Sequence, residues 1–474
     1  MLFNSFQFLI FFPVVTLAFY LLPHKYRWFH LLAASCVFYM AFIPVYILIL
    51  FSTIVIDYFA GILIERVSTQ SKRRALVIIT VILNLLVLAV FKYYNFFLEQ
   101  AGIILSGLGY QAPNLPYLNI LLPIGLSFHT FQALSYIFEV SRGNVKAERH
   151  FGIYSLYVMF FPQLVAGPIE RPQNMLHQFH EEKHYDSNQM IIGIKIMLWG
   201  FVKKLVVADR LNVYVNEIYS QAYKTGSLNL WLAVMLFFPF QIYCDFSGYS
   251  SIAVGSAKVL GFNLMENFRT PFFSLTTSEL WNRWHISLSS WFRDYLYQPI
   301  VIALRDYGKF SVVVGLMVTF FLSGLWHGAG LSFILYGLFQ GTVVVLEFLL
   351  GIKTTKLSKK RYGKLIGVLS TYFFFSLSLI FFRSLGLRKA GYIFKKMFWD
   401  FDMQYVQISK VAVFSYTVSF ASIVGLILFE RWQGERLFYQ SFSLAKEVVI
   451  SLTLIVIMIL FGVFYNVSFI YFQF

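Results

Sequence analysis

The stretch ALVIITVILNLLVLAVF, residues 75–91, decides the fold class, because it carries no charged side chain over its whole length. A helix needs about 17 to 25 mostly apolar residues to cross a bilayer, and this stretch has that length. Lys72, Arg73 and Arg74 come directly before it. Because basic residues concentrate in the cytoplasmic loops of membrane proteins, we expect this helix to begin on the cytoplasmic side.

Similar apolar stretches recur along the chain. On the same length scale, the candidate spans are 6–22, 28–43, 45–64, 75–91, 118–137, 151–165, 190–208, 228–246, 310–326, 333–350, 365–382, 412–429 and 447–465. Several are short, so we predict about 11 to 13 true spans. The sequence therefore predicts an all-α, polytopic transmembrane helical bundle, with residues 1–474 forming a single membrane-embedded domain.

The composition excludes several other classes of protein. The chain is 58% hydrophobic and 13% charged, with a mean hydropathy of +0.68. Soluble domains carry about 25% charged residues, so a soluble enzyme, a disordered chain and a disulfide scaffold are all excluded. The net charge of +16 lies mostly in short breaks between apolar stretches. This distribution indicates membrane topology, and we expect no nucleic-acid partner.

The loop charges also predict an orientation. The basic stretch HKYR, residues 24–27, follows the first apolar stretch. This order favours an N-terminus outside the cytoplasm and a first helix that is retained as a membrane anchor. A later cluster then falls inside; it consists of Lys353, Lys356, Lys359, Lys360, Arg361 and Lys364. The stretch 383–396 is also basic but would fall outside. Either it lies in the interface or one span is miscounted.

Residues 265–309 contain no long apolar stretch and are rich in tryptophan and arginine. At helical spacing they present two stripes, an apolar one of Trp284, Leu288, Trp291 and Tyr295 and a polar one of Arg283, Ser287, Ser290 and Asp294. We therefore predict an amphipathic segment that lies in the inner interface or packs beneath the bundle.

Polar residues inside apolar sequence usually face the protein interior or a wet cavity. His327 lies among glycines in FLSGLWHGAG, residues 321–330, where a substrate or a second backbone can approach closely. Catalysis and interhelical hydrogen bonding are both open for this imidazole. His285 shares a predicted helical face with Trp281, Leu288 and Phe292, and packing is its simpler explanation.

Three further polar groups favour structural roles. His129 lies in a polar stretch of its own segment, so we expect an interhelical hydrogen bond. Asp245 and Glu139 are carboxylates in or beside apolar stretches, and each needs a partner to remain charged there. No Walker loop, dinucleotide fingerprint, zinc motif or Gly-x-Ser-x-Gly motif occurs, and we predict no metal ligands and no bound cofactor.

Two long motifs resemble one known family. WNRWHISLSSWFRDYLY, residues 281–297, is followed by SGLWHG, residues 323–328, so that His327 comes 42 residues after His285. This pattern resembles the membrane-bound O-acyltransferase family, and within it the bacterial alginate O-acetyltransferase branch. The supporting stretches are FHTFQALSY (128–136), FFPQLVAGP (160–168), YCDFSGYS (243–250) and FIYFQF (469–474).

The resemblance implies a fold, an activity and a set of site residues. It implies the helical bundle of that family and identifies His327 as the catalytic histidine, with His285 as the second active-site position. His327 would act as general base on the acceptor hydroxyl. His285 would orient the acceptor or stabilise the oxyanion, together with Trp326 or a backbone N–H. Further candidates for binding substrate or donor are Arg283, Arg293, Asp294 and Asp245.

The resemblance also implies substrates, partners and a location. We expect an acyl group, most simply acetyl, to move from acetyl-CoA or an acyl-carrier thioester to a cell-envelope polysaccharide. We expect a cytoplasmic (inner) membrane location and an extracytoplasmic partner of the SGNH type. The alternatives are D-alanyl transfer to teichoic acid, a transporter of an acyl donor or glycan, and a non-catalytic scaffold. The final acceptor and the thioester carrier stay open.

Overall fold

The computed structural model describes residues 1–110, 116–118, 123–402, 410–432, 434–464 and 469–470, and of 410–415 only the backbone. All regular secondary structure in these ranges is helical, which confirms the all-α prediction. The chain divides into two compact units, Met1–Tyr185 with Leu260–Leu264 and Asp186–Val259 with Met265–Phe474. The prediction of a single membrane-embedded domain stays a prediction.

The first unit contains eight of the described helices: α1 Phe6–Leu21, α2 His24–Met40, α3 Tyr46–Arg66, α4 Gln70–Leu88, α5 Tyr94–Gly107, α6 Leu126–Arg142, α7 Phe151–Met159 and α8 Pro172–His180. The helix α6 is buried on almost every side. It includes His129, which is 3% exposed.

The second unit contains the remaining described helices: α9 Ser187–Phe201, α10 Asp209–Ser220, α11 Ser227–Leu232, α12 Phe238–Val259, α13 Thr277–Trp281, α14 Ile286–Phe292, α15 Gln298–Ala303, α16 Lys309–His327, α17 Leu331–Leu349, α18 Thr354–Leu357, α19 Gly363–Ser384, α20 Leu387–Phe398, α21 Lys410–Trp432 and α22 Leu444–Phe461. A π-helical turn, Val202–Ala208, joins α9 to α10, and another, Arg293–Tyr297, joins α14 to α15.

Within the described residues, seven helices are long and apolar enough to cross a membrane. They are Tyr46–Arg66, Gln70–Gly107, Ser227–Val259, Lys309–His327, Leu331–Leu349, Gly363–Ser384 and Leu444–Phe461. Each coincides with a predicted span. Of the other predicted spans, 6–22 and 28–43 correspond to the 16- and 17-residue helices α1 and α2, and 190–208 corresponds to α9 and the π-helical turn after it, which contain three lysines. The span 412–429 lies in α21, whose first side chains are outside the described residues, as are residues 119–122 of the span 118–137. The total of 11 to 13 spans stays a prediction.

One predicted span is wrong as a helix. In the stretch 151–165, the helix α7 ends at Met159, and turns follow from Phe161. Pro162 lacks the N–H that a continuing helix needs, which explains the break. The helix is only 9 residues long, about 14 Å, which is half the thickness of a bilayer core.

The segment 265–309 also differs from its prediction. It is not one amphipathic helix, because Trp281 ends α13 and α14 begins only at Ile286. The two predicted stripes therefore do not hold through the break, and Ser287 of the polar stripe is fully buried. The basic stretch 383–396 forms the end of α19 and the 12-residue α20. This helix is too short to span a membrane, which favours the interfacial reading.

Candidate active site

His285 occupies the break between α13 and α14 in a left-handed backbone conformation, with φ 45° and ψ 54°. Such a conformation is uncommon for residues other than glycine and costs energy unless the surroundings hold it. Asn267 supplies that support, since its carbonyl accepts from the N–H of Ile286 at 2.9 Å and its side chain accepts from Ser287. Backbone strain of this kind concentrates at functional sites.

Aromatic rings surround the His285 side chain, which is 1% exposed. The ring of Phe246 approaches edge-on at 4.5 Å between centroids, and Phe268 lies parallel at 6.5 Å. Burial, and then the charge of nearby His327, lower the pKa of His285 well below its ordinary value. The imidazole is therefore neutral at physiological pH and offers one donor and one acceptor nitrogen.

His327 is the last residue of α16, directly before the short turn into α17. It is 5% exposed, and its ring lies 5.7 Å from Tyr336 and 5.4 Å from Phe382. A Cβ on Gly324 would lie 2.3 Å from the carbonyl oxygen of Phe333. Only glycine permits this close approach of α16 and α17. The close approach in turn places His327 within the aromatic cluster.

Trp326 lies close to both histidines. Its ring is 6.0 Å from His285 and 4.9 Å from His327, although the histidines are far apart in sequence. We refer to His285, Trp326 and His327 as the histidine site. The structure thus brings three of the predicted site residues together in a buried, aromatic environment.

A cavity of about 260 Å³ lies between α14 and α16. Its lining is mostly apolar with a few polar groups: Ser278, Trp281, Asn282, Leu288, Ser289, Phe292, Arg293, Tyr297, Leu316, Thr319, Phe320, Ser323 and Val344. Ser323 precedes His327 by about one helical turn, so the cavity adjoins the histidine site along the face of α16.

The predicted charged candidates lie in three different settings. Arg293 lines the cavity, and its Nε donates to Asp294 at 2.8 Å. Arg283 donates to Glu279 at 2.5 Å instead of lining the cavity. Asp245 accepts from Lys204 at 2.6 Å, which confirms that this carboxylate has a partner. Their roles in binding stay predictions.

Glu139 also has the expected partners, since it accepts from Arg142 and Asn144. The expected hydrogen bond of His129 to a neighbouring helix is wrong, because neither of its ring nitrogens has a hydrogen-bond partner among the described residues. Among the described residues, no group of three or more His, Cys, Asp or Glu side chains is arranged to hold a metal ion.

The sequence analysis missed a row of buried lysines, Lys195, Lys203 and Lys204, which we call the lysine row. Each pairs with a carboxylate: Lys195 with Glu447, Lys203 with Glu435, and Lys204 with Asp209 and Asp245. The lysines interrupt the apolar stretch 190–208. That interruption was the available signal, because a charge in such a stretch is costly unless it is paired.

Comparison with known proteins supports the identification of both motifs. Residues 150–386 match the model of the MBOAT, membrane-bound O-acyltransferase family, and this range contains His285 and His327. The "Probable alginate O-acetylase" of Pseudomonas syringae is 32% identical over 446 residues, covering 93% of this chain and 83% of that protein.

Two other relatives carry different names. The "Peptidoglycan O-acetyltransferase" of Helicobacter pylori is 30% identical over 77% of this chain and 73% of its own length. The "Teichoic acid D-alanyltransferase" of Streptococcus thermophilus is 30% identical over 55% of this chain and 68% of its own length. The family match and these names support an O-acyltransferase activity. The apolar helices support a multi-pass membrane protein. The chain therefore belongs to the membrane-bound O-acyltransferase family.

Proposed function

We propose that this protein moves an acyl group, most simply acetyl, from a cytoplasmic thioester to a cell-envelope polysaccharide, with His327 as general base. The observation that carries the proposal is the histidine site, where two imidazoles lie close to Trp326 inside an aromatic enclosure. Acyl transfer requires a base that is active near neutral pH and a site that excludes water. The aromatic enclosure supports the second requirement, and the imidazole of His327 is the group that we assign to the first.

The chemical step follows from these groups. His327 takes the proton of the acceptor hydroxyl as its oxygen forms a bond to the thioester carbonyl carbon. The carbon–sulfur bond then breaks, and the imidazolium of His327 returns the proton to the departing thiolate. An N–H of neutral His285 or the indole N–H of Trp326 stabilises the negative charge that develops on the carbonyl oxygen.

The charge of the loops supports opposite approaches for donor and acceptor. The strongly basic stretch between α17 and α19 is expected to lie in the cytoplasm, and α17 ends there. The turn between His327 and Leu331 then lies towards the outer end of α16 and α17. The cavity lies along the middle of α16, from Leu316 to Ser323, and so on the cytoplasmic side of His327 in this orientation. A thioester arm from the cytoplasm would reach His327 through it.

Arg293 is the better of the two predicted arginines for binding donor phosphates. It lines the cavity, and half of its side chain is exposed. Arg283 is engaged by Glu279. A charge-assisted contact from Arg293 to a phosphate of coenzyme A, or of a phosphopantetheine arm, fits this location.

The names of two relatives support acetyl as the group and an envelope polymer as the acceptor, because they refer to alginate and to peptidoglycan. D-alanyl transfer is the second candidate, supported by a relative that matches over a smaller part of this chain. We further propose a cytoplasmic-membrane location and an extracytoplasmic SGNH-type partner that completes delivery to the polymer.

The test is transfer of labelled acetyl from acetyl-CoA by the purified, reconstituted protein together with its partner. We expect His327→Ala to lower kcat by at least about 100-fold, the contribution of a general base. The control is His177→Ala, because this histidine is exposed on α8. Full activity of a folded His327→Ala protein would make the assignment wrong. Turnover of a D-alanyl carrier thioester, but not acetyl-CoA, would favour the second candidate.

A further inference from the structure

The last described part of the chain is held firmly against α12. We call residues 462–464 and 469–470 the tail segment. The N–H of Val463 donates to the carbonyl of Leu205 at 3.0 Å, and the N–H of Ile470 donates to Oδ2 of Asp245 at 2.7 Å. Phe469 and Ile470 are only 2% and 3% exposed. Val463, Phe469 and Ile470 of the tail segment are therefore part of the packed interior of the second unit, whereas Phe464 is exposed.

Asp245 links the tail segment to a buried ion cluster. The ammonium of Lys204 donates to Oδ1 of Asp245 at 2.6 Å and contacts Asp209 at 2.7 Å. Two carboxylates thus share one ammonium. A buried carboxylate oxygen requires a donor, and for the second oxygen of Asp245 that donor is the backbone of Ile470.

The close approach of α9 and α12 explains why these groups meet. A Cβ on Gly248 would lie 2.8 Å from the carbonyl oxygen of Gly200 and 3.2 Å from the backbone nitrogen of Lys204. Glycine at both positions lets the two backbones touch. The π-helical turn that begins at Val202 then contains Lys204, close to Asp245 on the facing helix. Turns of this kind are frequent at functional sites.

The tail segment leads directly to the histidine site. The ring of Phe469 lies 4.8 Å from Tyr249 and 5.6 Å from Phe246. Phe246 in turn contacts His285 at 4.5 Å. Phe469 therefore forms a second layer behind the ring that packs against His285.

We propose that Asp245 is a positioning residue that fastens the tail segment behind the aromatic wall of His285, so that the tail segment keeps water from the histidine site. This inference rests on the proposed function of that site. Asp245 then acts through Phe469 and Phe246, and it has no direct contact with substrate. Its place among the predicted site residues is explained by the tail that it holds.

The buried pair of Lys195 and Glu447 is a useful contrast. It contains one charge of each sign, and Glu447 lies in the first turn of α22. The cluster at Asp245 contains two carboxylates for one ammonium. Oδ2 of Asp245 accepts a hydrogen bond from the backbone of Ile470, so this cluster holds the chain beyond the end of α22. Of the two clusters, this one is linked to His285 through Phe469 and Phe246.

The first test measures whether Asp245 holds the tail. Ile470→Cys, in a background with Cys36→Ala and Cys244→Ala, keeps the N–H donor and adds a thiol that is buried in the native protein. We expect Asp245→Asn to accelerate maleimide labelling of this thiol by about tenfold or more, the loss of one charge-assisted hydrogen bond. Lys204 keeps Asp209 as a partner in this variant, so no uncompensated charge is created.

The matched control is Asp209→Asn, which removes the other carboxylate of Lys204 but leaves the bond between Asp245 and Ile470. We expect its labelling rate to stay within about twofold of the parent. Slow labelling in Asp245→Asn, or equal acceleration in both variants, would overturn the fastening role.

The second test measures whether the tail excludes water. With acetyl-CoA as donor, the ratio of thioester hydrolysis to acetyl transfer is expected to rise about tenfold in Asp245→Asn, with the KM for the donor little changed. Faster labelling without a change in this ratio would overturn the sealing role. Full activity of His327→Ala would instead overturn the proposed function, without affecting the labelling result.

Discussion

The histidine site and the lysine row are both polar and buried in the second unit, but their partners differ. His285 and His327 lie among aromatic rings, with Phe246 and Tyr336 in contact with them. Each lysine of the row instead meets a carboxylate on another part of the chain, as Lys195 meets Glu447 at 2.8 Å. The protein therefore buries polar groups in two ways, as neutral rings and as compensated charges.

This difference separates groups available for chemistry from groups that hold the fold. A buried ammonium that is shared with carboxylates cannot change its charge without a large cost, so it is suited to fixing helices. An imidazole without a carboxylate partner is not fixed in one charge state in this way, so it is better suited to proton transfer. We therefore expect substitutions in the lysine row to affect stability first, and those at the histidine site to affect activity first.

The largest expected effect on stability is that of Lys195→Met. It would leave the carboxylate of Glu447 buried without its cation, which costs about 3 to 5 kcal/mol of unfolding free energy. Unfolding of the purified protein in detergent measures the change. The control is Lys395→Met, in an exposed pair with Asp400, where we expect a loss of about 1 kcal/mol or less.

The double variant Lys195→Met/Glu447→Gln sharpens this comparison. Removing both charges leaves no uncompensated group, so most of the lost stability is expected to return. If Lys195→Met is as stable as the parent, the lysine row does not hold the fold in the way described.

A smaller effect is expected from filling the cavity beside the histidine site. Thr319→Trp places an indole among the lining residues, and we expect the KM for the acyl donor to rise by about tenfold with a smaller change in kcat. The measurement is steady-state kinetics with varied acetyl-CoA. An unchanged KM would show that the donor does not use this cavity.

Thr342→Trp is the matched control for this variant. Thr342 is exposed on α17, and its hydroxyl donates to a carbonyl one turn earlier, as that of Thr319 does on α16. We expect its kinetics to equal those of the parent. An equal rise in KM in both variants would point to a general effect of the added indole.

The smallest expected effect is on the pH dependence of stability. The pKa of His285 is lowered in the folded protein, so the unfolded chain binds a proton more readily. Stability from this group is then present above the unfolded pKa of about 6.5 and is lost as the pH falls below it, by at most about 1.4 kcal/mol per unit. His285→Gln is expected to flatten the melting profile between about pH 6.5 and 5.

His177→Gln serves as the control for the pH profile, because His177 is exposed and is expected to keep the slope of the parent. The informative quantity is the difference in slope between the variant and the parent. An unchanged slope in His285→Gln would show that burial of this imidazole does not couple to folding.

Much of the fold was predictable because hydropathy is a local property of the chain. The seven helices that meet the length and composition of a membrane span all coincide with predicted stretches. Two local expectations failed, because Pro162 ends the helix in 151–165 and the left-handed His285 lies in the break between α13 and α14. The proline was visible in the sequence, whereas the conformation of His285 depends on the hydrogen bonds that Ile286 and Ser287 donate to Asn267.

The candidate site was predictable only in part. The motifs indicated His285 and His327 as candidates, because a short sequence pattern can be recognised without knowledge of the fold. They did not reveal that the ring of Trp326 lies close to both imidazoles or that Lys204 compensates Asp245. Lys204 could have been flagged as a charge in an apolar stretch, but its partner could not be named, because 41 positions separate the two residues.

The sequence by itself determined that this chain is a polytopic helical membrane protein and which family it resembles. Both conclusions follow from properties of contiguous residues, namely the length of the apolar stretches and the presence of short motifs. The tertiary structure alone decided which buried charges compensate one another and that a backbone N–H at position 470 meets Asp245 from 225 positions away. Such contacts form because burying a polar group without a hydrogen-bond partner costs free energy. Which partner is within reach depends on how the helices pack.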